Sequence, residues 1–308
     1  MRALVYKSTG SWYILKDEAG KFWNGRTKGV LKLDDITSTN PVAVGDWVEA
    51  GVESKESATA IISEIIPRHN YINRQSPRHK HQHHIVAANL DQSLLIATLN
   101  EPRTSQGFIG RFLVAAEMYH VPAVIVFNKS DLYKNKELGK YNQWKKMYEA
   151  VGYKVLLVSA EKKKGLDELK ALLRDKTTLI SGHSGVGKST LLNAIFPDMN
   201  LKTGEISGWS GKGTHTTTFA EMFDLPEGGR IIDTPGMREF GLVNIEKQEL
   251  SHYFPEMRER LNNCQFNNCL HYNEPGCAVK EAVNDGVIHE DRYVSYLNIL
   301  ESIEAKSY

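Results

Sequence analysis

The sequence predicts an α/β chain in three parts: a small β-barrel, a doubly wound strand–helix domain and a helical appendix. Three observations carry this reading. Short β-branched and aromatic runs fill residues 1–67. Apolar runs alternate with helical patterns from 85 to 243. All three cysteines crowd into one segment after residue 244.

The bulk numbers set bounds. A chain of 308 residues suits two domains and a small third. Apolar residues are 41% and charged residues 24%, as in ordinary globular proteins. The net charge is +1, so any nucleic-acid contact must come from a local patch. No apolar run reaches membrane-span length, and no membrane partner is expected. Met1-Arg2-Ala3-Leu4-Val5-Tyr6 opens like a strand, without a signal-peptide core. Three sparse cysteines argue against a disulfide framework and fit a reducing cytoplasm.

In residues 1–67, Ala3–Tyr6, Ser11–Leu15, Lys21–Trp23, Asp46–Glu49 and Thr59–Ile62 read as strands, punctuated by Gly10, Gly20, Gly25, Gly29 and Gly45. Five short strands suggest a compact barrel, with an OB-fold leading and a generic β-domain as the alternative. Trp12, Trp23 and Trp47 each read as core. Residues 68–84 form a basic, irregular connector, from Arg68-His69 to His83-His84, with no acid between Ile65 and Leu90. It suits phosphate-backbone binding, or equally a solvated loop. Its alternate His79, His81 and His83, with His84, make a weak metal signal.

From 85 to 243, Leu94–Ala97, Val124–Phe127, Val155–Val158, Leu179-Ile180 and Ile231-Ile232 look like buried parallel strands. Helical faces lie between them: Phe108, Phe112, Ala115 and Ala116 on one, Leu166, Leu169, Leu172 and Leu173 on another. Ligand loops in such a domain sit at strand carboxyl ends.

Three motifs follow those strands. Gly182-His183-Ser184-Gly185-Val186-Gly187-Lys188-Ser189 fits the phosphate loop G-x-x-x-x-G-K-[ST]. Its glycines allow close backbone approach, Lys188 reaches the β- and γ-phosphates, and Ser189 ligates Mg²⁺. Asn128-Lys129-Ser130-Asp131 names the base. The Asp131 carboxylate pairs with guanine's ring N–H and amine, a donor pair adenine lacks. Asn128 braces the neighbouring loops, and the Lys129 stem covers the purine face. Ser159-Ala160-Glu161 fits the loop that closes over guanine. Asp233-Thr234-Pro235-Gly236 fits the D-x-x-G switch: Asp233 holds magnesium and the Gly236 amide senses the γ-phosphate. The base motif precedes the phosphate loop, the reverse of the usual order, so the domain reads as a circularly permuted P-loop GTPase.

Between phosphate loop and switch lies Gly211-Lys212-Gly213-Thr214-His215-Thr216-Thr217-Thr218. Thr217 is favoured as the threonine that joins Ser189 and Asp233 on Mg²⁺, with Thr216 and Thr218 in adjacent register. Met237 stands where many GTPases carry a water-orienting Gln. His215 either substitutes for that Gln or shapes the loop. The appendix, 244–308, carries Cys264, Cys269, His271 and Cys277, the ligand set of one closed structural zinc site.

The permuted motif order, the β-module and the Cys/His cluster together resemble the bacterial small-ribosomal-subunit biogenesis GTPases. The supporting stretches are Val44–Val48, Ala87–Gln92, Gly182–Thr190 and His215–Thr218. The resemblance implies an OB-fold touching 16S rRNA, and zinc on Cys264, Cys269, His271 and Cys277. It also implies GTP hydrolysis to GDP and phosphate, stimulated by the small subunit late in its maturation. The catalytic set expected is Lys188, Thr217, His215 and Gly236, in a cytoplasmic monomer. The zinc domain is expected to be positioned through its short connection to the switch.

Overall fold

The computed structural model describes residues 1–27, 41–75, 83–199, 220–234, 242 and 245–303. Strands β1 (Arg2–Ser8), β2 (Tyr13–Asp17), β3 (Phe22–Thr27), β4 (Trp47–Ser54) and β5 (Thr59–Ile65) close into a barrel in the order β1-β2-β3-β5-β4-β1. Only β3 and β5 run parallel. This is the five-stranded OB-fold. Alternation along β1 explains its position: Ala3 and Val5 face the barrel core with Leu15, Trp23 and Ile62. Leu4 and Tyr6, on its other face, join a separate core under the nucleotide domain. Trp23 is buried, Trp47 only partly, and Trp12 is exposed at 54%, so Trp12 is not a core residue.

The connector departs from the sequence expectation. It is not irregular throughout, because β6 (Tyr71–Gln75) and β7 (His83–Ala88) pair as an antiparallel hairpin. Ile72 and Ile85 bury apolar side chains there, which outweighs the basic composition around them. Arg68 is also not free for phosphate. Its guanidinium donates to both Asp46 carboxylate oxygens at 2.6 Å and to the Pro41 carbonyl at 2.7 Å. Asp46 is fully buried, and burial raises its pKa against the opposing pull of Arg68. Residues 76–82, with His79 and His81, lie outside the described residues.

The nucleotide domain contains β8 (Gln92–Ala97), α1 (Gln106–Met118), β9 (Ala123–Phe127), α2 (Asn135–Ala150), β10 (Lys154–Leu157), α3 (Leu166–Leu173), β11 (Thr177–Ser181), α4 (Lys188–Ile195), β12 (Glu221–Asp224) and β13 (Arg230–Asp233). The sheet order is β10-β9-β8-β11-β13-β12, parallel except for β12. Helices α1 and α2 cover one face through Phe112, Leu113, Trp144 and Tyr148. Helices α3 and α4 cover the other through Leu169, Leu173, Leu191 and Leu192. Edge strand β12 then pairs with β1, so barrel and sheet are continuous.

The C-terminal part contains α5 (Pro255–Arg258), α6 (Ala278–Asn284) and α7 (Glu290–Ser302). Its core includes Val114 of α1. Helix α7 crosses α1 closely: a side chain at Gly110 would run into Ser295 Oγ. Arg292 and Glu256 form a buried pair, with Nε–Oε1 at 2.6 Å and Nη2–Oε2 at 3.2 Å. The Arg292 guanidinium also stands 5.8 Å from the Tyr148 ring and 5.9 Å from the Tyr153 ring of the nucleotide domain. These contacts dock the domain on the α1/α2 side of the sheet. Residues 235–241, 243 and 244, which form most of the expected connection, lie outside the described residues.

Candidate functional site

The phosphate-loop residues bridge β11 and α4. Gly187 caps α4 in the left-handed region, with φ +88°. A Cβ there would lie 2.7 Å from Asn128 Nδ2, so neither the conformation nor the space suits another residue. Val186 is fully buried and anchors the loop in the α3/α4 core. Ser184, Gly185 and Thr190 are exposed, and the Ser189 side chain is buried in the first turn of α4. Lys188 Nζ donates to the Gly182 carbonyl at 2.7 Å and the His183 carbonyl at 3.1 Å. Burial lowers its pKa, and Asp233 acts in the opposite direction. Asp233, at the end of β13, is shifted upward by burial against the opposing charge of Lys188. Ser181 Oγ at the end of β11 and Thr234 Oγ1 just after neighbouring β13 are buried without a hydrogen-bond partner. Unsatisfied oxygens beside Lys188, Ser189 and Asp233 fit a hydrated divalent cation and phosphate oxygens.

The base-side residues are tied to the phosphate loop. Asn128 is buried after β9; its Nδ2 donates to the Val186 carbonyl at 2.9 Å, and its Oδ1 accepts from the Ala160 amide at 3.3 Å. One side chain thus fixes both loops. Lys129 has φ +62° and directs Nζ to the Glu101 carbonyl at 2.6 Å. The Ser130 amide donates to the Val158 carbonyl at 3.0 Å, and its side-chain oxygen is buried without a partner. The Asp131 carboxylate is exposed and accepts a short hydrogen bond from the buried Ser159 hydroxyl. Ser159 Oγ in turn accepts from the Lys162 amide at 3.0 Å. The carboxylate is therefore held in place yet open to a base.

Sequence reasoning missed three supports. Tyr133 donates to the Asn128 carbonyl at 2.8 Å and accepts from the Leu99 amide at 3.0 Å. Burial pushes its pKa up to about 12, so it stays a donor. Phe108 of α1 packs against His183 with the rings tilted by 32° and their centroids 3.7 Å apart. Burial, then the Lys188 charge, lower the His183 pKa. Glu101 offers only its carbonyl, which no side-chain pattern reveals. The Tyr two residues after Asp131 was the one visible signal. His215, Thr216, Thr217, Thr218, Gly236 and Met237 lie outside the described residues.

The second cluster is compact. The ligand atoms of Cys264, Cys269, His271 and Cys277 all lie within 4.8 Å of one another. His271 Nδ1 is 3.6 Å from Cys264 Sγ and 3.4 Å from Cys277 Sγ. The Tyr293 hydroxyl donates to the His271 carbonyl at 2.6 Å, and Tyr296 donates to that of Leu270 at 2.8 Å. The Glu274 carboxylate accepts from the Leu270 and Tyr272 amides. Three sulfurs and one imidazole nitrogen, buried except for half-buried Cys264 and braced in this way, are compatible with one zinc ion.

Comparison with known proteins agrees with this arrangement. Residues 65–243 match the RsgA GTPase family model, and residues 3–62 match the RsgA N-terminal domain. The small ribosomal subunit biogenesis GTPase RsgA of Christiangramia forsetii is 50% identical over 308 residues, covering 99% of this chain and 97% of its own. The protein of the same name from Cytophaga hutchinsonii is 52% identical over 300 residues, covering 97% and 98%. The crystal structure of YjeQ from Thermotoga maritima superposes with TM-score 0.78 at 33% identity, covering 98% of this chain and 97% of that one. YloQ, described as a circularly permuted GTPase, gives 0.74 at 30% identity, covering 100% and 96%. The permuted strand order, the barrel ahead of it and full-length relatives at half identity lead to one conclusion: the chain belongs to the RsgA GTPase family.

Proposed function

We propose that this chain hydrolyses GTP as an assembly factor of the small ribosomal subunit. The observation that carries the reading is the convergence of phosphate loop, base motif and Asp233 at the carboxyl ends of parallel strands, in a chain whose relatives bear that name. Asp131 accepts two hydrogen bonds from guanine, with Ser159 holding the carboxylate. The Lys129 stem covers the purine face, and Ser130 and Ala160 shape its pocket. The amides of Gly182 through Thr190, among them those of His183 and Ser184, surround the phosphates. Lys188 exchanges the Gly182 and His183 carbonyls for β- and γ-phosphate oxygens. Ser189, Thr217 and Asp233 hold Mg²⁺, which neutralises charge on the phosphates. Water adds to the γ-phosphorus, and the bond to the β–γ bridging oxygen breaks. GDP and phosphate result, with the water's protons passing to phosphate and solvent. His215 and the Gly236 amide are the residues proposed at the attacking water and γ-phosphate.

Cys264, Cys269, His271 and Cys277 hold one structural zinc. The barrel contacts 16S rRNA, and hydrolysis releases a cytoplasmic, monomeric factor from the subunit. The test measures GTP hydrolysis with no ribosomal particles, with purified small subunits and with large subunits. Strong stimulation by small subunits alone is expected. Equal slow turnover in all three would refute the ribosomal role.

A further inference from the structure

The barrel grips the edge of the nucleotide sheet mainly through side chains. Strands β1 and β12 share one register step, Lys7 opposite Glu221. Lys7 Nζ lies 2.9 Å from Glu221 Oε2. The Tyr6 hydroxyl donates to Asp224 Oδ1 at 2.6 Å, and Lys16 Nζ of β2 donates to Asp224 Oδ2 at 2.5 Å. Arg230 of β13 stands 3.5 Å from the same carboxylate. Lys16 also lies 5.4 Å from both the Tyr6 and Phe22 rings. An open cleft of about 320 Å³ adjoins these links, lined by Tyr6, Ile14, Phe22, Met199, Phe223 and Asp224. Leu4 and Tyr6 do enter an apolar core on one face of β1. At β12 the polar links stand between that core, which Met222 of β12 joins, and the open cleft. The cleft side leaves this flank of the joint freer to shift than a close-packed one.

Strand β12 is well placed to use that freedom. In sequence it begins at Glu221, three residues after Thr218. In the hairpin with β13 it sets Glu221 opposite Asp233. One short strand therefore links the proposed magnesium threonine, along the chain, with the proposed magnesium carboxylate, across the ladder.

We propose that Tyr6 and Lys16 of the barrel, acting through Asp224, couple subunit docking on the barrel to the nucleotide sheet, and so act on stimulated rather than basal GTP turnover. They tie β12 to the barrel, so that subunit docking on the barrel and nucleotide on the sheet bias the same strand. The coupling must then be reciprocal. This inference rests on the ribosomal reading for the docking partner.

The test uses the full zinc-loaded chain. Asp224→Asn removes the charge that Lys16 meets while keeping side-chain size. Lys16→Met cuts the same link from the barrel side, should the first variant fold poorly. Basal kcat and KM for GTP are expected to stay unchanged, while stimulation by small subunits falls about fivefold or more. Amide hydrogen exchange of residues 2–8 and 221–224 gives an independent readout, with GDP and with a non-hydrolysable GTP analogue. In the wild type both strands should change protection together. In either variant β12 should still respond and β1 should not. Wild-type β1 exchange that ignores the nucleotide, or responds equally in both variants, overturns the proposal. A wild type unstimulated by small subunits refutes the ribosomal reading instead, and the exchange result still decides whether the joint exists.

Discussion

At the scale of single residues, the site is a set of side chains whose partners restrict them to one task. Asp131 is the clearest case, because Ser159 holds one carboxylate oxygen and leaves the group open to a base. Asp131→Asn should weaken GTP binding about 10- to 100-fold, since a charge-assisted pair is lost. It should also favour xanthosine triphosphate, whose oxygen at the former amine position accepts from the new amide. Competition between the two nucleotides for a fluorescent analogue measures both effects, and unchanged preference would count against the guanine assignment. Lys188 now rests on two backbone carbonyls, so nucleotide must displace those bonds. Lys188→Met should lower the hydrolysis rate about 100-fold or more, as loss of one transition-state donor does elsewhere, and single-turnover kinetics would show it. Both residues were legible because their chemistry lies in short motifs. Tyr133, Phe108 and the Glu101 carbonyl were not, because their roles arise only when loops distant in sequence come together.

Among elements, the strands of the nucleotide sheet were easiest to read. Nearly buried β9 is an uninterrupted apolar run, and fully buried β8 carries one in Leu94–Ala97, its buried Gln92 donating to Thr178 Oγ1. Strand β12 was missed because Glu221-Met222-Phe223-Asp224 is short and has a polar residue at each end. Hairpin β6–β7 was missed because basic composition masked two short apolar runs, Tyr71-Ile72 and Ile85–Ala88. Helix α7 hides a third surprise: Arg292, an ordinary surface residue by pattern, is 1% exposed and clasps Glu256 of α5. Nothing local marks it, since burial depends on where α2 and α5 stand. Removing one partner leaves a buried charge uncompensated, so Arg292→Met should cost about 3–5 kcal/mol. The double variant Arg292→Met with Glu256→Gln should recover much of that loss. Urea unfolding followed by circular dichroism tests both, and equal loss in the two would contradict the pairing argument.

Across the whole molecule, the two flanking domains attach in different ways. The C-terminal domain shares an apolar core with α1, through Val114, and a buried ion pair next to Tyr148 and Tyr153. The barrel meets β12 through the apolar core that Leu4 and Tyr6 share with Met222 and through polar links that border an open cleft. Zinc removal should therefore loosen α1 as well as the Cys/His loops. Chelation is expected to lower Tm and to open cleavage sites near 264–277 under limited proteolysis. Zinc affinity should also fall as pH drops. Burial pushes the Cys269 thiol up to about 12, so the metal must displace a tightly held proton. A zinc titration at two pH values would expose that linkage. The permutation has a further consequence, in the order of synthesis. Strand β8 ends mid-sheet between β9 and β11, yet it is made well before Thr177–Ser181 of β11 exists. While the ribosome is still translating that stretch, β8, β9 and β10 can pair, but β8 has a bare edge awaiting the strand that leads into the phosphate loop. An ordinary GTPase makes that central strand first. This chain must protect an unpaired apolar edge until its nucleotide loop arrives, so bound nucleotide can stabilise the sheet only near the end of translation.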